Sequence, residues 1–426
     1  MPRRLAFDVL QRVEEGAYSH IALATALDRA DLSSVNRGLA TQLVYGTLTW
    51  QRAIDDVIHE RLKSGIKSVG EDGRLLLRLG VYQILFLERV PAHAAINETV
   101  EMAHALVPEL VPVINAVLRR VSREMPNWWN DADRQKKPAR YLGQRWSVPN
   151  WMSNRMLQLY GGVDRVEPLL EALSLSPPLW MRSRADDVPE GATPHASVPR
   201  AWVAENFNGE VLEGLKDGRW SVQDIAAQLV GHLTAIGLEP GAHVLDACAG
   251  LGGKSLHLAS LGLKVHAVDP NASKISMLRD AAASQEVTNL TAEIVRAQDV
   301  RGDFDAVLLD APCSGLGTIR RHPETRWTKT EADITNLAKI QSELLDSVVH
   351  LVKPGGVLVY SVCTWSREET SKQIELFLAR HPEFAIQKPE SELFDWAPFL
   401  KGDYVALDAA NHNADGFFAA RMIRSK

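Results

Sequence analysis

The hydrophobic period changes once along this chain, and that change limits the available folds more than any single motif. Residues 1–118 repeat apolar side chains at helical spacing, as in Leu5, Val9, Leu10 and Val13, or Leu39, Leu43, Val44 and Leu48. Such spacing puts them on one face of a helix. Residues 74–87 are more continuously apolar, which suits a central helix buried on most sides. Pro91 ends that run, and residues 96–106 and 113–118 resume the helical pattern. Strand signals are almost absent, so the front of the chain reads as an all-α bundle. From about residue 216, short β-type runs at 243–246, 264–269, 304–310 and 355–360 alternate with helical spacers. Alternation of this kind builds a doubly wound parallel sheet. The expected organisation is multidomain α and α/β. It comprises a bundle at 1–125, a basic linker at 126–145, a small middle α/β region at 146–215 and a Rossmann-like domain at 216–426.

A chain of 426 residues, 46% hydrophobic and 23% charged, can bury a substantial core. Its three cysteines (Cys248, Cys313 and Cys363) are too few for a disulfide framework, and the charged N-terminus carries no apolar signal core. No stretch reaches the ~18 uncharged apolar residues of a membrane span. The expected setting is a reduced cytoplasm. A net charge of −6 argues against a broadly cationic surface, but residues 119–145 concentrate Arg119, Arg120, Arg123, Arg134, Lys136, Lys137, Arg140 and Arg145. Trp128 and Trp129 lie among them, and Trp146 follows. Cations for phosphates and flat rings for unstacked bases suit RNA contact. A solvated linker whose tryptophans cap neighbouring domains fits the same residues.

The β-type run at 243–246 leads into Ala247-Cys-Ala-Gly-Leu-Gly-Gly-Lys254, a glycine turn followed by a helix starting near Ser255. Glycines let backbone N–H groups and a helix N-terminus approach a ligand. Alone this is a weak signal. Asp269 ends the next β run, where a carboxylate can bind both hydroxyls of a ribose. Asp299 precedes the run leading to Asp310 and could accept from an adenine amino group. The turn lacks the full GxxxxGK[ST] spacing, which removes a P-loop NTPase. This order of features is similar to that of methyltransferases using S-adenosylmethionine. A dehydrogenase would share the turn and the ribose acid but has no use for the thiols downstream.

Those thiols are Cys313, in Asp310-Ala-Pro-Cys-Ser-Gly315, and Cys363, in Tyr360-Ser-Val-Cys-Thr-Trp365, each just past a β run. Residues there face the ligand crevice of a parallel sheet. A lone buried cysteine is usually packing. Two aimed at one crevice beside a carboxylate suit covalent chemistry on an electron-poor ring. C5 of cytosine is a poor nucleophile until a thiolate adds at C6. An acid at N3, here Asp310, would stabilise the charge that develops. Chemistry alone leaves open which thiol attacks.

The chain resembles, over nearly its whole length, the bacterial 16S ribosomal RNA cytosine-5 methyltransferase B family. Asn36-Arg-Gly-Leu-Ala40, Leu43-Val-Tyr-Gly46, Arg78-Leu-Gly-Val-Tyr-Gln83 and Asn115-Ala-Val-Leu-Arg119 carry a NusB-like front. Val222-Gln-Asp224, Gln228, Gly252-Gly-Lys254, Asp310 to Gly315, Arg320-Arg-His-Pro-Glu324, Lys353-Pro-Gly-Gly356 and Asp415-Gly-Phe-Phe418 carry the methyltransferase back. The resemblance implies S-adenosylmethionine contacts at Cys248, Ala249, Gly250, Leu251, Gly252, Gly253, Lys254, Asp269, Asp299 and Asp310. It implies Cys363 as nucleophile, Cys313 as the release cysteine, 16S ribosomal RNA as partner, no metal, and a monomer. The front bundle and the middle region would bind RNA. His322 and Trp327 fit either a contact with the target strand or helix packing. Two departures stand out: Gly250-Leu251 replaces the family's usual Ala-Pro before Gly-Gly-Lys, and Val362-Cys-Thr364 replaces Thr-Cys-Ser. Neither removes a reactive group. An antitermination-type RNA-binding module would explain the bundle but leave both thiols and the glycine turn without a use. A DNA methyltransferase would attack through Cys313 instead.

Overall fold

Helical spacing in the front of the chain becomes, in the computed structural model, seven α-helices: Pro2–Glu14, Ser19–Arg29, Ser34–Thr49, Gln51–His59, Gly70–Phe86, Ala92–Leu106 and Val111–Glu124. The structure describes residues 2–204, 209–390 and 395–425. Two compact units divide the chain, Met1–Leu175 with Ile319–Thr328, and Ser176–Thr318 with Lys329–Lys426.

In the helical unit, Gly70–Phe86 is the central helix that its apolar run predicts. It buries Leu75, Leu76, Leu77, Leu79 and Val81, and also Arg78. A buried guanidinium needs partners. Arg78 donates to both carboxylate oxygens of Asp55, at 2.7 Å each, and to Glu14 at 2.7 Å. Gly46 lies against the Tyr82 ring so closely that a Cβ would fall 2.0 Å from it.

The helical unit continues to Leu175, through Asp133–Lys136, Pro138–Arg145, Asn150–Tyr160 and Val163–Ala172. The stretch expected as a basic linker, with the start of the middle region, therefore belongs to this unit. Two of its cations pair with carboxylates beyond residue 145. Arg134 meets Asp164 at 2.7 Å and Glu167 at 3.0 Å, while Arg145 meets Glu167 at 3.2 Å and lies over the Trp129 and Trp146 rings. Trp128 packs against Trp50 and Phe86 on the helical core. Lys136 and Lys137 stay exposed. Residues 319–328, which fall inside the methyltransferase half of the sequence, complete the same unit. Arg326 is fully buried and donates to the carbonyls of Thr49 (3.2 Å), Trp146 (3.3 Å), Ser147 (3.3 Å) and Leu173 (2.7 Å). Trp327 Nε1 donates to the Leu48 carbonyl at 2.6 Å.

The second unit opens with a small antiparallel sheet of β1 (Trp180–Ser183), β2 (Thr193–Pro194), β3 (Ala201–Val203) and β4 (Trp220–Val222), in the order β2-β3-β1-β4. Met181, Trp202, Val211 and Trp220 form its core. The main sheet holds β5 (His243–Asp246), β6 (Lys264–Val268), β7 (Leu290–Glu293), β8 (Phe304–Asp310), β9 (Val352–Val362), β10 (Phe384–Ile386), β11 (Leu400–Lys401), β12 (Tyr404–Leu407) and β13 (Phe417–Arg424). Their order is β11-β12-β13-β9-β8-β5-β6-β7, with β10 also on β13. Strands β7-β6-β5-β8-β9 are parallel, as the alternating pattern predicts. The sheet as a whole is mixed, because β13 runs antiparallel to β9 and β10 and β12 pair antiparallel with it. The first six residues of β13, Phe417 to Met422, are all buried, so it shows no period of two to read. Helices Ile225–Ala235, Gly253–Ser260 and Ala272–Ser284 cover one face, and Glu331–Val348 and Ser371–Arg380 the other. Strand order reverses between β5 and β8, which opens a crevice at their carboxyl ends.

Candidate active site at the sheet's carboxyl edge

β5 delivers Asp246 into the interior, where Ser255 Oγ donates to it at 2.6 Å and burial pushes its carboxyl up to about 6. The chain then turns through Gly250 (φ +56°) and Gly252 (φ +85°), left-handed conformations that favour glycine. A Cβ on Gly252 would strike Leu278 at 2.0 Å, whereas one on Gly250 or Gly253 would meet open space. Gly250 lines a cavity of about 610 Å³ whose wall also includes Cys248, Asp269, Asp310, Cys313 and Cys363. Asp269, at the end of β6, is fixed by its own loop: Gly250 N donates to Oδ2 at 3.1 Å and Asn271 N to Oδ1 at 2.8 Å. Each oxygen keeps a second lone pair for a hydroxyl donor.

Six of the expected cofactor contacts, Ala249, Leu251, Gly252, Gly253, Lys254 and Asp299, lie outside the cavity wall. Ala249 and Gly252 shape the turn, and Leu251 is 57% exposed and outside the cavity wall. Asp299 is exposed as well; the 3₁₀ turn Ala297–Asp299 presents Ala297 and Gln298 to the cavity instead. Cys248 lines the cavity, but burial pushes its thiol up and keeps it protonated. Lys254 turns to Asp310: Nζ lies 2.7 Å from Oδ2, while Ser361 Oγ donates to Oδ1 at 2.8 Å. Burial alone would lower the Lys254 ammonium, yet Asp310 holds it above its ordinary value.

β8 and β9 bring together two thiols fifty residues apart in sequence. Cys313 Sγ and Cys363 Sγ are 3.2 Å apart, a hydrogen-bond contact between free cysteines. The bond to Cys363, with burial, holds the Cys313 thiol well above its usual range. Behind the pair lies a residue with no sequence cue, Glu369, buried completely under both cysteine loops. Its Oε1 accepts from Ser314 N (2.7 Å) and Gln341 Nε2 (3.1 Å). Its Oε2 accepts from the hydroxyls of Ser314 (2.5 Å), Ser366 (2.7 Å) and Thr364 (3.3 Å). In sequence, Ser366-Arg-Glu-Glu369 looks like a solvated charge run.

Other motif residues build the unit instead of facing the cavity. Gln223 accepts from Arg182 Nε at 2.7 Å and donates to the Gly253 carbonyl at 3.2 Å, while Asp224 caps the Ile225–Ala235 helix. In the helical unit, His20, His322 and Glu324 bring possible ligand atoms within 4.8 Å of one another, the one such group among the described residues. Glu324 already accepts from Ser19 N at 3.1 Å and Ser19 Oγ at 2.7 Å, so it caps the Ser19–Arg29 helix. No described helix is long and apolar enough to cross a membrane.

Comparison with known proteins agrees with this geometry. A model of the 16S rRNA methyltransferase RsmB/F family matches residues 233–423, and one of the NusB family matches residues 1–123. A probable ribosomal RNA small subunit methyltransferase B of Bacillus subtilis (strain 168) is 33% identical, covering 99% of this chain and 98% of the relative. Its counterpart in Synechocystis sp. is 32% identical over the same shares. Among solved structures, that of PH0851 superposes with a TM-score of 0.82 at 24% identity, covering 100% of this chain and 99% of its own. NSun6 from Pyrococcus horikoshii with SFG gives a TM-score of 0.55 at 15% identity, covering 64% of this chain and 97% of its own.

Proposed function

We propose that this chain, which belongs to the ribosomal RNA small subunit methyltransferase B family, methylates C5 of a cytosine in 16S ribosomal RNA with S-adenosylmethionine. The observation that carries the reading is the pair of thiols 3.2 Å apart in the same cavity wall as Asp269 and Asp310. The cavity suits the cofactor: about 610 Å³ is within the usual range for small-ligand sites, with an open glycine backbone and a pre-set carboxylate. Bound there, S-adenosylmethionine supplies an electrophilic methyl group. Asp269 would hold its ribose, and the turn from Cys248 to Gly253 would follow its length.

Cys363 is the nucleophile in this reading. Its thiolate adds to C6, and the electron pair displaced into the ring makes C5 nucleophilic. The Lys254 ammonium, 2.7 Å from Asp310, supplies a proton that Asp310 relays towards N3 as charge builds there. After C5 has gained the methyl group, its proton must leave and the C6–S bond must break. The adduct removes the hydrogen bond that contributes most to holding the Cys313 thiol high, so Cys313 ionises more readily and can take that proton. The C5–C6 double bond re-forms and Cys363 departs as thiolate. Lys136 and Lys137 remain as exposed cations for the phosphate backbone.

A denaturing gel with labelled 16S rRNA fragment tests the division of labour. Cys363→Ala should give neither product nor conjugate. Cys313→Ala should add, transfer methyl and stall, accumulating as a protein–RNA band. A conjugate from Cys363→Ala and none from Cys313→Ala would reverse the roles.

A further inference from the structure

We propose that Glu369 is a positioning residue, whose carboxylate ties the two cysteine loops into the register that keeps the thiols in contact. This deepens the reading above and rests on it for the catalytic consequence. The residue after each cysteine carries a hydroxyl, Ser314 and Thr364, and both hydroxyls bond the same oxygen, Glu369 Oε2. The two hydroxyl oxygens lie 2.8 Å apart, so the single Thr364 proton is shared between Ser314 Oγ and Glu369 Oε2. Oε1 takes the Ser314 backbone N–H, and the same Gln341 amide that donates to Oε1 donates to the Pro312 carbonyl at 2.9 Å. Tyr360 OH anchors the Glu369 backbone carbonyl at 2.7 Å. One carboxylate therefore grips the residues flanking Cys313 and those following Cys363.

Burying a carboxylate without a cation is costly, and a site needing only packing would hold an apolar side chain. All five donors on Glu369 are neutral. Catalytic geometry is sensitive to displacements of about 1 Å, and these thiols sit on separate loops. The backbone supplies cross-ties of its own, Gly317 N to the Cys363 carbonyl at 3.0 Å and Ala311 N to the Ser361 carbonyl at 2.9 Å. Neither reaches Ser314 or Thr364, the residues after the sulfurs; Glu369 takes bonds from both. Its charge also raises the Cys313 thiol, beyond the larger effects of Cys363 and burial.

Phenylarsine oxide, which needs two adjacent thiols for tight capture, reads the register without RNA. Full-length Glu369→Ala should lose capture by about 100-fold, the scale of a lost two-point attachment, while binding S-adenosylmethionine as wild type does. Glu369→Gln, which keeps shape and hydrogen bonding, should restore capture to within about threefold, because two-point attachment survives. Single-turnover methyl transfer should track capture, with RNA affinity unchanged. Should Glu369→Ala fail to fold, the double variant Ser314→Ala/Thr364→Val removes one tie from each loop and should show the same loss. Wild-type capture in a folded Glu369→Ala or in the double variant would overturn the proposal, as would a Gln variant as poor as Ala. Wild-type protein that captures the arsenical but never methylates RNA would sink the functional reading and leave the positioning role standing.

Discussion

Asp310 and Glu369 are both carboxylates within reach of the same two thiols, yet they are built in opposite ways. Asp310 stands at the end of β8 on the cavity wall, with Lys254 and Ser361 on its two oxygens. Glu369 is sealed behind the loops and held by uncharged donors alone. An open carboxylate paired with a mobile-proton partner can exchange protons with a substrate. A sealed one, satisfied on every side, can only hold atoms still. The contrast separates chemistry from geometry within a single site.

Asp310→Asn tests that contrast most severely. Methyl transfer should fall on the order of 10²–10⁴-fold, the usual worth of acid–base assistance, while arsenical capture stays intact. Equal loss of both would show that Asp310, too, is a geometric device. Asp269 is an intermediate case, on the cavity wall like Asp310 and held by neutral N–H groups like Glu369, but also 3.7 Å from the Lys274 ammonium. Asp269→Ala should weaken S-adenosylmethionine binding by roughly 1–3 kcal/mol in calorimetry, and unchanged affinity removes it from the ribose site. The smallest effect belongs to Thr364→Val, which deletes the longest of the Glu369 contacts, at 3.3 Å. It should cost about 0.5–1.5 kcal/mol in thermal unfolding, and a larger loss would mean that the ties to Glu369 act as one network.

The shared cavity wall of Asp310, Cys313 and Cys363 was legible in the sequence because each lies shortly after an apolar run, and a strand end fixes which way the chain there faces. The parallel strands β5, β6, β8 and β9 were legible for the same reason. β13 was not, since a strand buried on both faces loses its alternation, and β7 is a four-residue strand at the sheet edge. Glu369 was hidden because its burial depends on Ser314 and Gln341, far away in sequence. Asp299 sits where its position along the chain predicts, in the 3₁₀ turn whose first two residues line the cavity. In the basic segment Arg134 is answered by Asp164 and Glu167 some thirty residues on, pairings that a local charge run cannot show.

Residues 319–328 give the helical unit a timetable. Four of its carbonyls, on Thr49, Trp146, Ser147 and Leu173, find the Arg326 guanidinium as donor. During synthesis that donor emerges about 150 residues after Leu173, a delay of roughly 8–30 s at ordinary elongation rates. The front of the chain must therefore wait, nearly folded, for a plug translated from within the methyltransferase half. A fragment stopped at Leu175 never receives it, so the helical unit can be fully native only once most of its own enzyme has been made.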